Sequence, residues 1–241
     1  MNRSFRNMVT RSSFQRLPHL TVFFLGLCFA EFYGPAPVGA EPSVDPQFRL
    51  ARVRYSGGGD WYGNESSWIN LLKALGLRTS LTTARREAVV SLNSNEIFYY
   101  PLITLSGHGR VWFSSGEAEK LRQYLMGGGF LFADDDFGMD ESFRQGMKLV
   151  FPDKDFVEIP KDHEIFKTFY KLDGIPKIHE HHGGPPQALG LFHEGRLVVF
   201  YSFNTDIGDS LEEPGIHQDS PEIRETGLQM AINVVLYALT H

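Results

Sequence analysis

The sequence predicts an α/β domain built around a mainly parallel β-sheet. Short apolar runs at 102–105 and 130–133 are typical of strands buried on both faces. They alternate with segments in which apolar residues recur at helical spacing, and capping residues or glycines separate the two kinds of segment. Strands that alternate with helices indicate βαβ units, whose strands run parallel. We therefore place a single α/β domain at residues 48–241.

The first 40 residues have the three parts of a secretory signal peptide. Four arginines precede an apolar run at 20–30, and Val38-Gly39-Ala40 has the small residues of a cleavage site. This run is shorter than the roughly 20 residues that a membrane-spanning helix needs. We therefore expect a signal peptide at 1–40, a linker at 41–47, and a periplasmic or otherwise extracytoplasmic domain without stable membrane insertion.

Cysteine content and charge exclude two classes of function. Cys28 is the only cysteine and lies inside the expected signal peptide, so the processed domain would have neither a disulfide nor a thiol nucleophile. Lipidation of Cys28 is the alternative, but Leu27 precedes it where a small residue is expected. Loss of four Arg and one Glu with residues 1–40 changes the formal charge from -6 to -9. An acidic domain is a poor candidate for nucleic-acid binding, which needs clustered Lys and Arg.

The first βα unit begins near Phe48. Apolar residues alternate with arginines over 51–55, which predicts a strand with one solvated face. A run of glycines ends this strand. Asn64 is the expected N-cap of the helix that follows, and Gly76 is expected to end that helix.

The second unit contains predicted strands at 88–90 and 102–105. Ser114 and Glu117 have the spacing of a capping box, which predicts that a helix begins there and ends at the glycines that start with Gly127.

The third unit starts with the predicted strand at 130–133. Three consecutive aspartates follow its carboxyl end, and the helix after them is expected to stop at Pro152.

The last predicted strands lie at 156–159, 188–193 and 197–202. The second and third of these are joined by a hairpin turn across Glu194-Gly195. A long helix closes the chain, with Ser220 as its N-cap and Pro221 in its first position.

Polar residues follow the carboxyl ends of several predicted strands. In open parallel sheets, ligands bind in the crevice outside this edge, where the strand order reverses. The alternative is that these residues merely form turns, in which glycine and aspartate are common. The ligand-binding candidates are Ser56, Gly57, Gly58, Gly59, Asp60, His108, Asp135 and Asp206.

Two of these candidates have further alternative interpretations. The glycine-rich turn from Ser56 to Asp60 could bind an anion through its backbone N–H groups, or it could be a flexible turn that lets Trp61 fold back over the sheet. His108 lies between two glycines, where it could approach a ligand or simply be held by hydrogen bonds.

The three consecutive carboxylates of Asp134, Asp135 and Asp136 predict that at least one of them has a raised pKa. Candidate roles are metal ligand, general base and aspartyl nucleophile, and the catalytic candidates are Asp134, Asp135 and His108. The alternative is that one aspartate caps the helix near Met139 while the others face water.

A possible divalent metal site involves the histidine-rich segment after Ile178. In an extended segment His179 and His181 would lie on one face, where Asp134 or Asp135 could complete the ligand set. The alternative is a solvated loop, which the prolines at 185–186 favour.

Seven ordered motifs resemble one bacterial family that is known only as a domain of unknown function. The resemblance covers nearly all of residues 48–241. The motifs are SGGGDW (56–61), GHG (107–109), GGFLFADD (128–135), PKIHEH (176–181), HEGRLVVFYS (193–202), DIGD (206–209) and NVVLYALTH (233–241).

The resemblance implies a flavodoxin-like three-layer sandwich, similar to class I glutamine amidotransferases and trehalose-utilisation-like proteins. Amidotransferases carry a nucleophilic cysteine in the turn that here resembles 130–138, where Asp134 and Asp135 stand instead. Thiolate amidotransferase chemistry is therefore excluded. We expect a domain that binds a polar small molecule or carbohydrate-like ligand. The alternatives are a divalent-metal-dependent hydrolase, using His108, Asp134, Asp135, His179 and His181, and a cell-envelope protein-interaction module.

Overall fold

The structure, a computed structural model, describes residues 47–179 and 183–241. The expected signal peptide, Cys28 and His181 lie outside the described residues, as does most of the expected linker. The described part contains a seven-stranded sheet with helices on both faces. Its strands are β1 (Ala51–Val53), β2 (Ala88–Val90), β3 (Leu102–His108), β4 (Phe130–Phe137), β5 (Val157–Glu158), β6 (Gln187–His193) and β7 (Arg196–Phe203).

The strand order across the sheet is β2-β1-β3-β4-β7-β6-β5. The first five strands in this order run parallel, whereas β6 is antiparallel to both of its neighbours. The predicted α/β class and mainly parallel sheet are therefore confirmed. From β1 the chain goes to β2 on one side and later to β3 on the other, so the strand order reverses between β1 and β3.

Helices cover both faces of the sheet. They are α1 (Ser67–Arg78), α2 (Ser115–Met126), α3 (Asp140–Val150), α4 (Ile207–Leu211) and α5 (Pro221–Thr240). Apolar residues of α2 and α3 form one core with the sheet, whereas those of α1, α4 and α5 form a second core on the opposite face. Among the described helices, none combines the length and the apolar character that crossing a membrane requires.

Several predicted local features are confirmed. The Ser114–Glu117 capping box begins α2, with hydrogen bonds in both directions. Ser220 caps α5 by accepting a hydrogen bond from the backbone N–H of Ile223. Glu194 and Gly195 both have positive φ, as a tight hairpin between β6 and β7 requires.

The start of the domain differs from its prediction. The strand β1 has no solvated face, because Arg52 is only 3% exposed. Its guanidinium instead donates hydrogen bonds to backbone carbonyl oxygens, those of Trp61, Gly63 and Asn64. The helix α1 has Ser66 as its N-cap rather than Asn64, and it continues past Gly76 to Arg78. Gly76 therefore does not end the helix, and Thr79 is its C-cap.

Candidate functional site

The aspartates expected to follow the fourth strand lie inside it. The strand β4 extends to Phe137, and Asp134, Asp135 and Asp136 are all buried. Because successive side chains of a strand point to opposite faces, Asp134 and Asp136 share the face that carries α4. Asp135 points to the other face.

Asp134 is bound tightly to the segment that leads into α4. Its Oδ2 accepts a hydrogen bond from the backbone N–H of Gly208, with the two atoms 2.6 Å apart, and its Oδ1 accepts one from Ile207 at 3.2 Å. The hydroxyl of Ser202, at the end of β7, also donates to Asp134. Three donors thus fix one carboxylate at the edge of the sheet.

Asp206 brings a third carboxylate to this face. It is the N-cap of α4, and its side chain accepts a hydrogen bond from the backbone N–H of Asp209 at 3.1 Å. Its φ of 61° lies in the left-handed region, which an L-residue adopts only where the surrounding contacts hold it. Aspartate is one of the few side chains that tolerate this conformation.

Asp134, Asp136 and Asp206 form a cluster that we name the acidic triad. One oxygen atom from each residue lies within 4.8 Å of the others, and all three side chains are buried. Neither carboxylate oxygen of Asp136 has a hydrogen-bond partner among the described residues. A buried carboxylate without a partner is costly, so this group requires either a proton or a cation.

Burial and mutual repulsion raise the pKa values of the triad. Burial raises the pKa of Asp134 to about 6, against the lowering effect of its three hydrogen-bond donors. Burial, followed by repulsion from Asp134, raises the pKa of Asp136 well above its ordinary value. The pKa of Asp206 is also raised well above its ordinary value, by burial and then by Asp136. Burial and repulsion in the metal-free triad therefore favour the protonated forms of Asp136 and Asp206, whereas Asp134 loses its proton near pH 6.

Asp135 does not join the triad. On the opposite face its Oδ1 accepts a hydrogen bond from the backbone N–H of Met139 at 3.1 Å, and its Oδ2 accepts one from the Tyr201 hydroxyl at 3.3 Å. The hydrogen bond from Met139, at the start of α3, corresponds to the helix-capping role considered for one of the three aspartates. The other two aspartates are buried rather than facing water.

The glycine-rich turn packs against the loop after β3. The backbone N–H of Gly59 donates to the carbonyl oxygen of Arg110 and that of Asp60 donates to His108. A Cβ on Gly57 would lie 2.7 Å from the Arg110 oxygen, so this close approach needs glycine. These contacts engage two of the turn's N–H groups, while binding of a ligand by Ser56 to Asp60 stays a prediction.

Asp60 and His108 meet where the strand order reverses. The Asp60 Oδ2 lies 3.3 Å from the His108 Nδ1, and its Oδ1 accepts a hydrogen bond from the His108 backbone N–H. A Cβ on Gly107 would lie 2.4 Å from the Tyr55 hydroxyl oxygen. Glycine is therefore required before His108 for the end of β3 to pack closely against the segment that follows β1.

A second group of charged side chains surrounds Asp209, on α4. The His217 Nδ1 lies 3.1 Å from its Oδ2, and Asn64 donates a hydrogen bond to its Oδ1 at 3.3 Å. The ring of His179 lies 6.3 Å from that of His217, measured between centroids. Burial raises the pKa of Asp209, while His217, His179 and His108 lower it. Histidines from three separate segments thus lie beside the acidic edge.

His217 is not recognised from the sequence, and Asp136 is named among three consecutive carboxylates without being singled out as a site residue. His217 stands alone in a loop without any motif, so no pattern indicates it. Asp136 could be found from the periodicity of a strand, in which residues i and i+2 share a face. If β4 is extended to Asp136, that residue lies on the same face as Asp134.

A family model described as Domain of unknown function (DUF4159) matches residues 49–239. The match covers all seven strands and contains every described site residue discussed above. A search of curated proteins finds no match to the chain.

Proposed function

The chain belongs to the DUF4159 family of domains of unknown function, and we propose that it binds a divalent cation and, through it, a polar small molecule. The observation that carries this proposal is the unpartnered carboxylate of Asp136 inside the buried acidic triad. Three buried carboxylates repel one another in a medium of low dielectric constant, and a divalent cation removes that repulsion.

The ligand atoms favour a hard cation. All three are carboxylate oxygens, which suit Mg²⁺, Mn²⁺ or Ca²⁺ better than the softer metals that select thiolate ligands. Oxygens on opposite sides of a calcium ion are roughly 5 Å apart, twice a bond of about 2.5 Å. One oxygen of each triad residue lies within 4.8 Å of the others, so all three fall within that span. Three protein ligands leave coordination positions for water or for oxygen atoms of a ligand.

The position of the site supports ligand binding. Asp136 and Asp206 lie at the carboxyl edge of the parallel strands, where the neighbouring strands β4 and β7 end. The order β2-β1-β3-β4-β7 corresponds to the flavodoxin-like order 2-1-3-4-5, which supports the finer fold assignment and its relation to amidotransferase-like proteins. The matched segment contains no cysteine, so the reaction of those enzymes is not proposed here.

A second candidate function is metal-dependent hydrolysis, which the Asp60–His108 pair favours. A carboxylate that accepts a hydrogen bond from Nδ1–H holds the imidazole as the tautomer whose Nε2 can accept a proton from water. A cation in the triad would lower the pKa of such a water. Assays with p-nitrophenyl phosphate and p-nitrophenyl acetate in Mn²⁺ test this candidate. Hydrolysis that His108→Gln abolishes would favour it, and hydrolysis equal to that of buffer would count against it.

The main proposal is tested by thermal unfolding of residues 41–241 with Mg²⁺, Mn²⁺ or Ca²⁺ and with a chelator. Saturation at 100 times Kd contributes about 2.7 kcal/mol, which corresponds to roughly 5–10 °C for a domain of this size. Asp136→Asn should abolish that shift. Asp173→Asn is the matched control, since its carboxylate is 95% exposed and the same charge is removed. Equal shifts in the wild type and Asp136→Asn would refute binding at the triad.

A further inference from the structure

A groove of about 330 Å³ lies between α1, the end of α4 and the start of α5. We name it the helix groove. Its lining combines charged residues of both signs with apolar residues from α4, from α5 and from the loop between them. None of the described residues that line it belongs to the acidic triad, so it is a separate candidate for a ligand site.

Positive charge is in excess in the helix groove. Lys73 and Arg224 line it from α1 and α5, and its described acidic residues are Glu213 and Glu225. The Glu225 carboxylate is already neutralised by Arg78, whose two terminal nitrogens lie 2.7 and 2.8 Å from its oxygens. Among the described residues, neither Lys73 nor Arg224 has a carboxylate as an ion-pair partner. Two positive charges therefore face the one remaining negative charge, that of Glu213.

The guanidinium of Arg224 is anchored at one of its terminal nitrogens. This nitrogen donates a hydrogen bond to the backbone carbonyl oxygen of Glu212, the C-cap of α4. A guanidinium carries five N–H donors in one plane, and a carboxylate can accept two of them side by side. Because the anchor reduces the freedom of the side chain, Arg224 is pre-organised to bind a carboxylate in the groove.

Hydrogen bonds and close packing fix the helices around the groove. The Asn70 amide donates to the carbonyl oxygen of Leu211 at 2.9 Å, and the Ser210 hydroxyl donates to that of Ile207 at 2.6 Å. A Cβ on Gly227 would overlap the Ser210 hydroxyl oxygen, so only glycine allows α5 to pack this closely on α4. The groove is therefore formed without a ligand, as is usual for binding sites of small molecules.

The apolar part of the helix groove favours a ligand with a hydrocarbon chain. The described apolar residues that line it are Leu211, Pro214, Pro221 and Leu228. Both prolines are exposed, and burial of their apolar surface under a hydrocarbon chain would contribute to binding. An inorganic anion leaves this surface uncovered, so the lining favours an organic acid over phosphate or sulfate.

We propose that the helix groove binds a small organic carboxylate, with its carboxylate group at Arg224 and Lys73 and its hydrocarbon part on Leu211 and Leu228. This inference goes beyond the proposed function, because the groove is separate from the acidic triad and attracts an anion rather than a cation.

The test is a titration of the isotope-labelled protein with hexanoate, followed by NMR of the backbone N–H groups. A chelator is present throughout, so the result does not depend on the cation site. Hexanoate is compared with 1-hexanol, which has the same chain but no charge, and with acetate, which has the charge but almost no chain. We expect hexanoate to bind at least about tenfold more tightly than either, with the largest shifts at residues that line the groove.

Substitutions of the charged residues test the assigned contacts. Lys73→Gln should weaken hexanoate binding by about threefold, and Arg224→Lys, which keeps the charge but not the planar fork, by about tenfold. Glu213→Gln should strengthen it by about threefold, because the opposing charge is removed. Lys161→Gln is the matched control for Lys73→Gln, since it removes the same charge at a side chain that is 75% exposed and lies outside the groove. It should leave the affinity unchanged.

Equal affinities for hexanoate and 1-hexanol, or for hexanoate and acetate, would overturn the inference, as would the largest shifts at residues outside the groove. Equal losses in Lys73→Gln and Lys161→Gln would also overturn it, since they would show attraction to net charge only. Lys73 and Glu213 are exposed, so these two variants decide the question even if Arg224→Lys fails to fold.

Discussion

The backbone N–H of Gly208 donates a hydrogen bond to Asp134, with the nitrogen 2.6 Å from Oδ2. This bond joins α4 to β4 and thereby brings Asp206 beside Asp136. The acidic triad therefore depends on the docking of a short helix as much as on the strand.

Replacement of Gly208 by alanine tests that dependence. The added Cβ would lie 2.6 Å from the Asn64 Nδ2 and 3.3 Å from the Asp134 Oδ2, so the Asn64 amide and the Asp134 carboxylate must shift away from α4. We expect a destabilisation of about 1–3 kcal/mol, as for overpacked cores, and a cation affinity reduced by at least tenfold. Urea unfolding and cation titration measure the two effects.

Gly116→Ala is the matched control for this substitution. Gly116 lies in the exposed first turn of α2, where an added Cβ meets no atom within 4 Å. Alanine there should stabilise the protein by about 0.4–1 kcal/mol and leave cation binding unchanged. Unaltered cation affinity in Gly208→Ala would contradict the role given to α4.

The stability of the metal-free protein should fall as pH rises. Burial raises the folded-state pKa of Asp134 to about 6 and that of Asp136 well above its ordinary value, so folding favours their protonated forms. Protonation of these groups contributes fully to the free energy of unfolding below about pH 4, and this contribution is lost as pH rises through 6 and beyond. For Asp134 alone it amounts to about 3 kcal/mol. Urea unfolding in chelator between pH 4.5 and 8 measures it.

Divalent cations should reverse this trend, because they bind the ionised carboxylates. Their stabilising effect should grow between pH 5 and 8, and Asp136→Asn should flatten the pH dependence in chelator. A wild type and an Asp136→Asn variant with the same pH profile would show that Asp136 does not titrate in this range.

Ser202→Ala tests the hydrogen bonding of the triad. The hydroxyl donates to Asp134 and lies 3.1 Å from the carbonyl oxygen of Ala133. Its loss should destabilise the ionised form of Asp134 by about 1.5–3 kcal/mol and weaken cation binding at neutral pH. Thr240→Ala, which removes an exposed hydroxyl near the end of α5, is the control. Identical cation affinities in the two variants would be the adverse result.

Arg52→Lys should destabilise the loop that leads to the site. Lysine cannot reproduce the fork of hydrogen bonds to the carbonyl oxygens of Gly63 and Asn64, and Asn64 reaches Asp209 beside the triad. We expect a loss of about 2–4 kcal/mol in the free energy of unfolding, measured in urea. Arg54→Lys, at the exposed neighbouring arginine, should change it by less than about 0.5 kcal/mol. Equal losses would contradict the role of Arg52.

The sequence predicts the elements with strong local patterns. Such patterns depend on neighbouring residues alone. The structure confirms the predicted capping residues of α2 and α5 and the hairpin at Glu194-Gly195. Arg52 could not be placed, because an arginine in an alternating strand normally faces water and its partners lie 9 to 12 residues away.

The site could be predicted only in part. Parallel strands end at the same edge of the sheet, which predicts that the polar residues after them lie close together. Asp134 and Asp206 do lie together there. Asp135, the alternative to Asp134 in the predicted metal site, lies on the face opposite the triad, because β4 continues where the sequence predicts a turn. The left-handed conformation that aims Asp206 at the triad depends on tertiary contacts and has no sequence signature of its own.

The most direct test of the cation site is anomalous diffraction from crystals grown at pH 8 with Mn²⁺. We expect a single strong peak at the acidic triad, about 2.0–2.6 Å from one oxygen each of Asp134, Asp136 and Asp206. Crystals of Asp136→Asn should lack that peak. Wild-type crystals without manganese at the triad, in which the Asp136 carboxyl group accepts hydrogen bonds from water or protein instead, would contradict the proposed function.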